Sequence, residues 1–293
     1  MLAIGIDIGG TKIAAGLVRF PKAEVEKYLL WPTPPIHEKA ALVAGVHETI
    51  EGLFQTGSHS DQKVSAIGIA VCELVDNDGQ IRSANAVDLQ HSAFLTTCSH
   101  VAPSFYEADV RAAALAEAQF GVGKHYRSFV YLTIGTGVSC ALVIEGKPYT
   151  GEHGFTGTAG SSPLPGTATS LEELASGPAL VRRYGNVGSA VEVLNRAQEG
   201  DAAARDIVTS AASAAGATVG LLINTLDPGA VILGGGLGLA EGLYWQTLVS
   251  SARRHIWSPL HRDIPILQAQ TGEKAGVIGA ALYALQKTGR CAQ

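Results

Sequence analysis

The sequence of 293 residues has few charged side chains. Only 16% of the residues are charged, against about 25% in an average soluble domain. Because 46% are hydrophobic, the composition excludes a disordered chain. Its 12 prolines follow no Gly-X-Y period, which excludes collagen. The formal net charge of -5 gives no electrostatic reason to bind nucleic acid or an anionic membrane. We therefore expect a globular protein with a large core.

Cysteine is scarce, and secretion and membrane signals are lacking. The cysteines form no Cys-x-x-Cys pair, so we expect no thiolate metal site and predict free thiols at Cys72, Cys98, Cys140 and Cys291. The N-terminus lacks the basic and apolar segments of a secretion signal, which predicts a cytoplasmic protein. Residues 207–226 are long enough to cross a bilayer, but their Ser, Thr and Gly residues favour a buried helix and no membrane contact.

Glycine is the residue in excess, with 35 in the chain, about 12% against about 7% in average usage. Three glycine turns each follow a predicted strand, at Gly9-Gly10, Gly135-Thr136-Gly137 and Gly234-Gly235-Gly236. A turn without Cβ atoms lets backbone N-H groups converge on phosphate oxygens, and Lys12 adds a positive charge. Any one of these turns could equally be an ordinary hairpin or strand-to-helix turn.

The first two glycine turns belong to similar segments. IDIGGTKIAAGLV aligns with LTIGTGVSCALV, which puts Asp7 opposite Thr133 and indicates an internal duplication of strand, glycine turn and strand. We expect the two turns to face each other across a cleft. Since neither the Walker A motif nor G-x-G-x-x-G is present, P-loop and Rossmann mechanisms lose their usual support. Further periodicity predicts helices at 40–54, 110–120 and 275–285, strands at 66–71, 104–107 and 231–233, and an irregular region at 150–165.

A series of motifs in fixed order covers nearly the whole chain. Its segments are Asp7-Ile8-Gly9-Gly10-Thr11-Lys12, Asp109 with residues 112–117, Gly135-Thr136-Gly137, Leu171-Glu172 with Ala175-Ser176-Gly177, Asn224 with Asp227-Pro228, residues 233–236 and residues 275–281. Together they resemble the ROK family of sugar kinases and repressors, within the actin, hexokinase and Hsp70 ATPase superfamily.

The resemblance implies an α/β fold with two actin-like, ribonuclease H-like domains, whose mixed sheets are flanked by helices and separated by a cleft. We expect a small domain at 1–109 with a returning helix at about 280–293, and a large domain at 110–279. The resemblance also implies ATP and Mg²⁺ as cofactors, a small sugar as partner, and a homodimer. Because the phosphate hairpin begins near residue 7, we expect no DNA-binding domain and no repressor function.

The resemblance also assigns roles to residues. Asp7 would hold Mg²⁺ through water, and the adenosine would contact Gly234, Gly235 and Gly236. Asp109 would be the general base that accepts the proton of the sugar hydroxyl. A competing interpretation makes Asp109 a helix N-cap, worth about 1 kcal/mol. The ATP phosphates would contact Gly9, Gly10, Thr11, Lys12, Gly135, Thr136 and Gly137.

The sequence departs from the family pattern where the sugar would bind. Ala108 stands where the family has Asn before the catalytic Asp. Residues 157–161, which include Thr158 and Ser161, replace the family's Gly-Glu-x-Gly-His and so lack its sugar-binding Glu and zinc-binding His. Ser170 stands where the family has a zinc cysteine. We therefore expect no zinc site and a modified sugar pocket.

Glu73 introduces a carboxylate near the expected cleft, where the family has Gly. We interpret it as a partner for a cationic or hydroxyl-rich group, with a solvated loop carboxylate as the alternative. Glu172 is the retained sugar-binding carboxylate or a surface helix residue. The pattern resembles antibiotic-pathway kinases, and predicts phosphorylation of a 6-OH in a hexose or an amino sugar such as kanosamine. Alternatives are a C7 cyclitol, plain glucose, or a catalytically silent sugar sensor. The remaining candidate sugar contacts are Asn85, Asp88 and His153.

Overall fold

The computed structural model describes residues 1–58, 63–89, 94–164 and 166–289, without the side chain of residue 58. Cys291 lies outside the described residues. The chain divides into unit 1, which comprises Met1–Gly121, Lys147–Thr156 and Glu273–Gln293, and unit 2, which comprises Val122–Gly146 and Gly157–Gly272. The sequence places the domain boundary at Asp109 and the returning helix at about 280, whereas these units assign residues 110–121, 147–156 and 273–279 to unit 1 as well.

Unit 1 is built on a five-stranded mixed sheet in the order β3-β2-β1-β4-β5. The first three strands are antiparallel neighbours, whereas β1, β4 and β5 are parallel. Large side chains face one side of the sheet and small ones the other, as Ile4 and Ala3 illustrate on β1. The strands are β1 (Leu2–Ile8), β2 (Lys12–Arg19), β3 (Glu24–Pro32), β4 (Val64–Val71) and β5 (Ser104–Ala108).

Helices cover both faces of the first sheet. Helices α1 (Lys39–Ser58) and α2 (Phe94–Ser99) contribute Ile50 and Phe94 to the core on the face with large side chains. Helices α3 (Asp109–Phe120) and α10 (Ala275–Lys287) cover the face with small side chains. Glycines let α10 approach the strands closely, since a Cβ on Gly5 of β1 would lie 1.9 Å from the Val277 carbonyl oxygen and one on Gly68 of β4 would lie 1.8 Å from the Ala280 carbonyl oxygen.

The second five-stranded sheet has the order β10-β9-β6-β7-β8. Its strands are β6 (Ser128–Ile134), β7 (Val138–Ile144), β8 (Lys147–Pro148), β9 (Val231–Gly234) and β10 (Ile266–Gln268). The helices of unit 2 are α4 (Leu171–Ala175), α5 (Gly177–Tyr184), α6 (Ala190–Gln198), α7 (Ala202–Leu226), α8 (Gly235–Gly238) and α9 (Leu243–His255). Among the described residues, α7 alone is long and apolar enough to span a membrane. One face of α7 is buried in the core of unit 2, which confirms the prediction of a buried helix.

The two sheets repeat one topology, which confirms the internal duplication. The order β3-β2-β1-β4-β5 corresponds to β8-β7-β6-β9-β10, with the hairpin in the same place. Ile8 pairs with Ile13 at the first glycine turn, and Ile134 pairs with Val138 at the second. The sequence did not predict β3, β10 or α2, because short or largely exposed segments carry weak periodicity. It also did not predict α9, although this helix has 13 residues and buries Tyr244, Leu248 and Ala252 at helical spacing.

Candidate functional site

The glycine turn between β1 and β2 is braced from the end of β3. The N-H of Gly9 donates to the carbonyl of Lys12 at 3.0 Å. The hydroxyl of Thr33 donates to the Gly9 carbonyl at 2.6 Å, and the N-H of Thr33 donates to the Thr11 carbonyl at 3.0 Å. The Lys12 side chain is exposed beside this turn. Thr33 was missed by sequence reasoning, because no local pattern links it to the turn.

Asp7 lies near the end of β1, between Ala14 of β2 and Ala70 of β4. A Cβ on Gly276, at the start of α10, would lie 2.1 Å from Asp7 Oδ2, so a side chain there would displace the Asp7 carboxylate. Burial raises the pKa of Asp7 to about 6, and the charge of Lys12 partly opposes this effect. Among the described residues the Asp7 carboxylate has no hydrogen-bond donor. It is therefore available to a ligand that binds next to the glycine turn.

Asp109 is the first residue of α3 and follows β5 directly. The N-cap is Ala108, without a side-chain capping bond, so the N-cap interpretation of Asp109 is wrong. Asp109 Oδ1 accepts the N-H of Val110 at 2.6 Å. Burial, followed by the charge of Asp7, raises the pKa of Asp109 to about 7. A carboxylate with such a pKa can accept a proton near neutral pH.

Glu73 is only 5% exposed, so it is not a solvated loop carboxylate. Its Oε1 accepts the N-H groups of Asn85, Ala86 and Val87 at 2.8, 2.6 and 3.0 Å. Its Oε2 accepts the Ser83 hydroxyl and the Asn85 side-chain amide. With five donors on one carboxylate, the contacts favour a role in ordering this loop over the predicted contact of Glu73 with substrate. The amide nitrogen of Asn85 is used in the same network.

Asp88 and His153 occupy other parts of unit 1. Asp88 Oδ2 lies 3.3 Å from Lys39 Nζ in a half-exposed ion pair. His153 is exposed and lines a cavity of about 290 Å³ together with Asp76, Asn77, Asp78, Glu152 and Phe155. The side chain of Asn77 donates to the carbonyls of Gly151 and Glu152, which holds this wall in place.

The glycine turn between β6 and β7 is held by two helix starts of unit 2. The N-H of Gly177 at the start of α5 donates to the Gly135 carbonyl at 2.8 Å. Glu172 of α4 accepts the N-H of Val138 at 2.8 Å. A Cβ on Gly137 would lie 2.8 Å from Glu172 Oε2, so glycine makes room for this carboxylate. Glu172 thus braces the predicted phosphate turn, a contact that the sequence did not indicate.

The third glycine turn lies beside the second in unit 2. A Cβ on Gly135 would be 3.8 Å from the nitrogen of Gly236, which leads from β9 into α8. The structure therefore brings together the turn predicted for phosphates and the turn predicted for adenosine, Gly234-Gly235-Gly236. The two turns can approach this closely because their glycines have no side chains that would keep them apart.

Thr158 is the first residue of a short helical turn, Thr158–Gly160, that lies against β7, and Ser161 directly follows it. Gly157 has a φ of 95°, and a Cβ there would lie 1.8 Å from the Cys140 carbonyl. The Cys140 N-H also donates to the Gly157 carbonyl at 3.0 Å. Thr158 and Ser161 are both exposed beside this contact. Within the described ranges no three His, Cys, Asp or Glu side chains are grouped to hold a metal ion.

Residues 3–287 match the model of the ROK family. The chain belongs to the ROK family. The glucokinase of Streptomyces coelicolor is 29% identical over 96% of each chain. The N-acetylmannosamine kinase of Haemophilus influenzae is 28% identical over 97% of this chain and 95% of the relative. A ROK glucokinase from Streptomyces griseus, crystallised with glucose and AMPPNP, superposes with a TM-score of 0.85 at 29% identity, covering 98% and 100% of the two chains. The α/β fold with two mixed sheets predicted from the sequence is thereby confirmed.

Proposed function

We propose that this protein is an ATP-dependent sugar kinase in which Asp109 is the general base. The observation that carries the proposal is the carboxylate at the first position of α3, whose pKa is raised to about 7. The relatives support the same reaction class, since they include a glucokinase seen with glucose and an ATP analogue. A silent sugar sensor would have no need for a carboxylate tuned to accept a proton near neutral pH.

The two oxygens of Asp109 suit different tasks. Oδ1 is held by the Val110 N-H, which fixes the orientation of the carboxylate. Among the described residues Oδ2 has no hydrogen-bond donor, so it can accept a sugar hydroxyl. A neutral hydroxyl is a weak nucleophile, and transfer of its proton to Asp109 as the phosphoryl group moves would lower the barrier. Ala108 adds no polar group, so the selectivity for the sugar must come from other residues.

The glycine turns supply backbone donors for the nucleotide. In unit 1 we assign the phosphate contacts to Gly9, Gly10, Thr11 and Lys12, because the Thr33 bonds fix this turn and Lys12 adds a positive charge. In unit 2 we assign phosphate contacts to Gly135, Thr136 and Gly137, and adenosine contacts to Gly234, Gly235 and Gly236. Their side-by-side position supports this division, because phosphates and nucleoside are adjacent in ATP.

Asp7 fits the Mg²⁺ that kinases of this type use. Its carboxylate is a hard oxygen donor with no hydrogen-bond donor among the described residues, and the charge of Lys12 offsets only part of the effect of burial on its pKa. Asp7 would hold the ion through water. When bound, the ion would neutralise negative charge on the ATP phosphates. We expect no zinc site.

For the acceptor we propose the 6-OH of a hexose or of an amino sugar such as kanosamine. Ala108 and residues 157–161 support a modified pocket, although Glu73 is occupied by its own loop. The relatives named glucokinase and N-acetylmannosamine kinase make glucose and N-acetylmannosamine the main alternative acceptors, and a C7 cyclitol is a further alternative. Our proposal also includes a cytoplasmic homodimer that binds neither nucleic acid nor membrane.

Sugar-dependent ADP release tests the function. The panel consists of glucose, N-acetylmannosamine, kanosamine and a valiolone-type cyclitol, each with ATP and Mg²⁺. We expect release with at least one sugar and its loss in Asp109→Asn. Asp206→Asn, which changes an exposed carboxylate of α7, is the matched control and keeps full activity. Absence of ADP release with every sugar would contradict the proposed kinase, and preference for glucose would contradict the modified pocket.

A further inference from the structure

Arg111 is charged but only 3% exposed, and it lies on α3 two residues after Asp109. Its Nε donates to Glu107 Oε1 at 2.7 Å, and its Nη2 also lies against this carboxylate. Nη2 donates to the Val75 carbonyl at 2.9 Å, and Nη1 donates to the Gly154 carbonyl. One guanidinium therefore joins three separate segments of unit 1.

The first of these segments contains the proposed base. Glu107 is the second-last residue of β5 and is 6% exposed. The same Oε1 that accepts from Arg111 also accepts the N-H of Ala108 at 2.7 Å. The pair of Glu107 and Arg111 thus brackets Ala108 and Asp109, with one partner on each side of the junction between strand and helix.

The other two segments adjoin residues that the sequence predicts as sugar contacts. Val75 lies two residues after Glu73, in the loop that this carboxylate orders. Gly154 directly follows His153 and packs against Asp76, since a Cβ on Gly154 would lie 2.6 Å from the Asp76 Cα. The Arg111 bonds hold both segments at a fixed distance from the start of α3.

The chemistry of the buried pair favours positioning over stability. Taking two charges out of water costs about as much as their attraction returns, so apolar residues of similar size stabilise a fold at least as well. A guanidinium differs from an ammonium because its planar fork donates in several fixed directions at once. Here these directions lead to one carboxylate and two carbonyls on different segments, a geometry that lysine cannot reproduce.

We propose that Arg111 is a positioning residue that fixes Asp109 relative to the loops at Val75 and Gly154, and thereby determines which sugars are phosphorylated. This inference rests on the proposed kinase function. The positioning role of Arg111 differs from a general structural role because its loss would change the phosphorylation rates of different sugars unequally. A shift of the loops relative to Asp109 would change the fit of each sugar differently, whereas loss of stability would lower all rates in proportion.

The decisive variant is Arg111→Lys, which keeps the charge and loses the fork. We expect kcat/KM for the best sugar of the panel to fall about tenfold or more, and its ratio to the second-best sugar to change severalfold. KM for ATP stays within twofold. The control is Arg205→Lys, which changes an exposed arginine of α7 and leaves both values unchanged. An equal loss for every sugar, or no loss, would overturn the proposal.

Hydrogen exchange tests the same contacts without any turnover. In Arg111→Lys, amides of residues 73–87 and 147–156 should exchange faster than in the wild type, while those of α7 are unchanged. Glu107→Gln provides a second variant if the first folds poorly, and it should shift the sugar ratio in the same direction. If the wild type phosphorylates no sugar but these segments lose protection, the proposed kinase fails while the Arg111 contacts stand. Unchanged exchange would refute the role of Arg111.

Discussion

The two units share a strand order and a glycine turn, but the residues around the two turns differ. Asp7 of β1 corresponds to Thr133 of β6, so the duplicated position carries a carboxylate only in unit 1. Lys12, Asp7 and Asp109 surround the first turn with charge, whereas the second turn lies beside another glycine turn. Under the proposed function, unit 1 would hold the reacting groups, and unit 2 would supply mainly backbone donors to the nucleotide.

Each turn also depends on a glycine that leaves room for a carboxylate. In unit 1 Gly276 accommodates Asp7, and in unit 2 Gly137 accommodates Glu172. The two carboxylates differ in their partners, since Glu172 accepts the Val138 N-H, while Asp7 has no donor among the described residues. Glu172 therefore supports a turn, and Asp7 is available to a ligand.

The largest expected effect follows from Asp109→Asn. The variant cannot accept a proton, so sugar-dependent turnover at pH 7.5 should fall by about 10² to 10⁴. Its amide oxygen can still accept the Val110 N-H, so the fold should persist. ADP release measures the turnover, and thermal unfolding measures the stability of the variant. Retained turnover would contradict the proposal that Asp109 of unit 1 is the general base.

A smaller but clear effect is expected for Gly276→Ala, because the new Cβ would collide with Asp7 Oδ2. Displacement of Asp7 should lower kcat by about tenfold or more and raise the Mg²⁺ concentration needed for half-maximal rate. Gly52→Ala is the control, since Gly52 is an exposed position of α1 where a new Cβ would meet no atom within 4 Å. That change should stabilise the helix by roughly 0.5–1 kcal/mol. Equal kinetics for both variants would contradict the importance of Asp7.

Glu172→Ala tests the turn of unit 2. Loss of the carboxylate leaves the Val138 N-H without its acceptor, at a cost of about 1–3 kcal/mol if the group stays buried. We expect a several-fold higher KM for ATP and a nearly unchanged KM for the sugar. Glu173→Ala removes a neighbouring carboxylate that forms only the capping box of α4, and should leave KM for ATP unchanged. A selective rise in KM for the sugar would instead restore Glu172 as a sugar ligand.

A further expected effect concerns the dependence of stability on pH. The pKa of Asp109 is raised to about 7 in the fold, above about 3.9 in an unfolded chain. The native state therefore binds more protons between these values, and its stability falls as pH rises from about 4 to 7. Asp109→Asn removes this contribution, so the variant should gain in stability relative to the wild type at pH 8. Chemical unfolding at pH 5 and pH 8 measures the difference in stability between the variant and the wild type. A variant that is less stable than the wild type at pH 8 would contradict a buried Asp109 carboxyl with a raised pKa.

The hairpins, the glycine turns and the position of Asp109 at the start of a helix were predictable because each depends on neighbouring residues in the chain. The brace from Thr33, the five donors to Glu73 and the bonds of Arg111 were not, because they join residues far apart in sequence. Glu73 shows the limit most clearly. Its position indicated a carboxylate near the site, but only the structure reveals that backbone N-H groups already occupy it.

The most direct test of the division between the units is the pH dependence of kcat/KM for the sugar, measured in wild type and Asp109→Asn from pH 5.5 to 8.5. With Asp109 as the base, the wild-type value should rise with pH and level off above about 7, where the carboxylate is deprotonated. The variant should stay at least about 10² lower and lack this rise. A variant that retains the wild-type profile would show that the proton is accepted elsewhere.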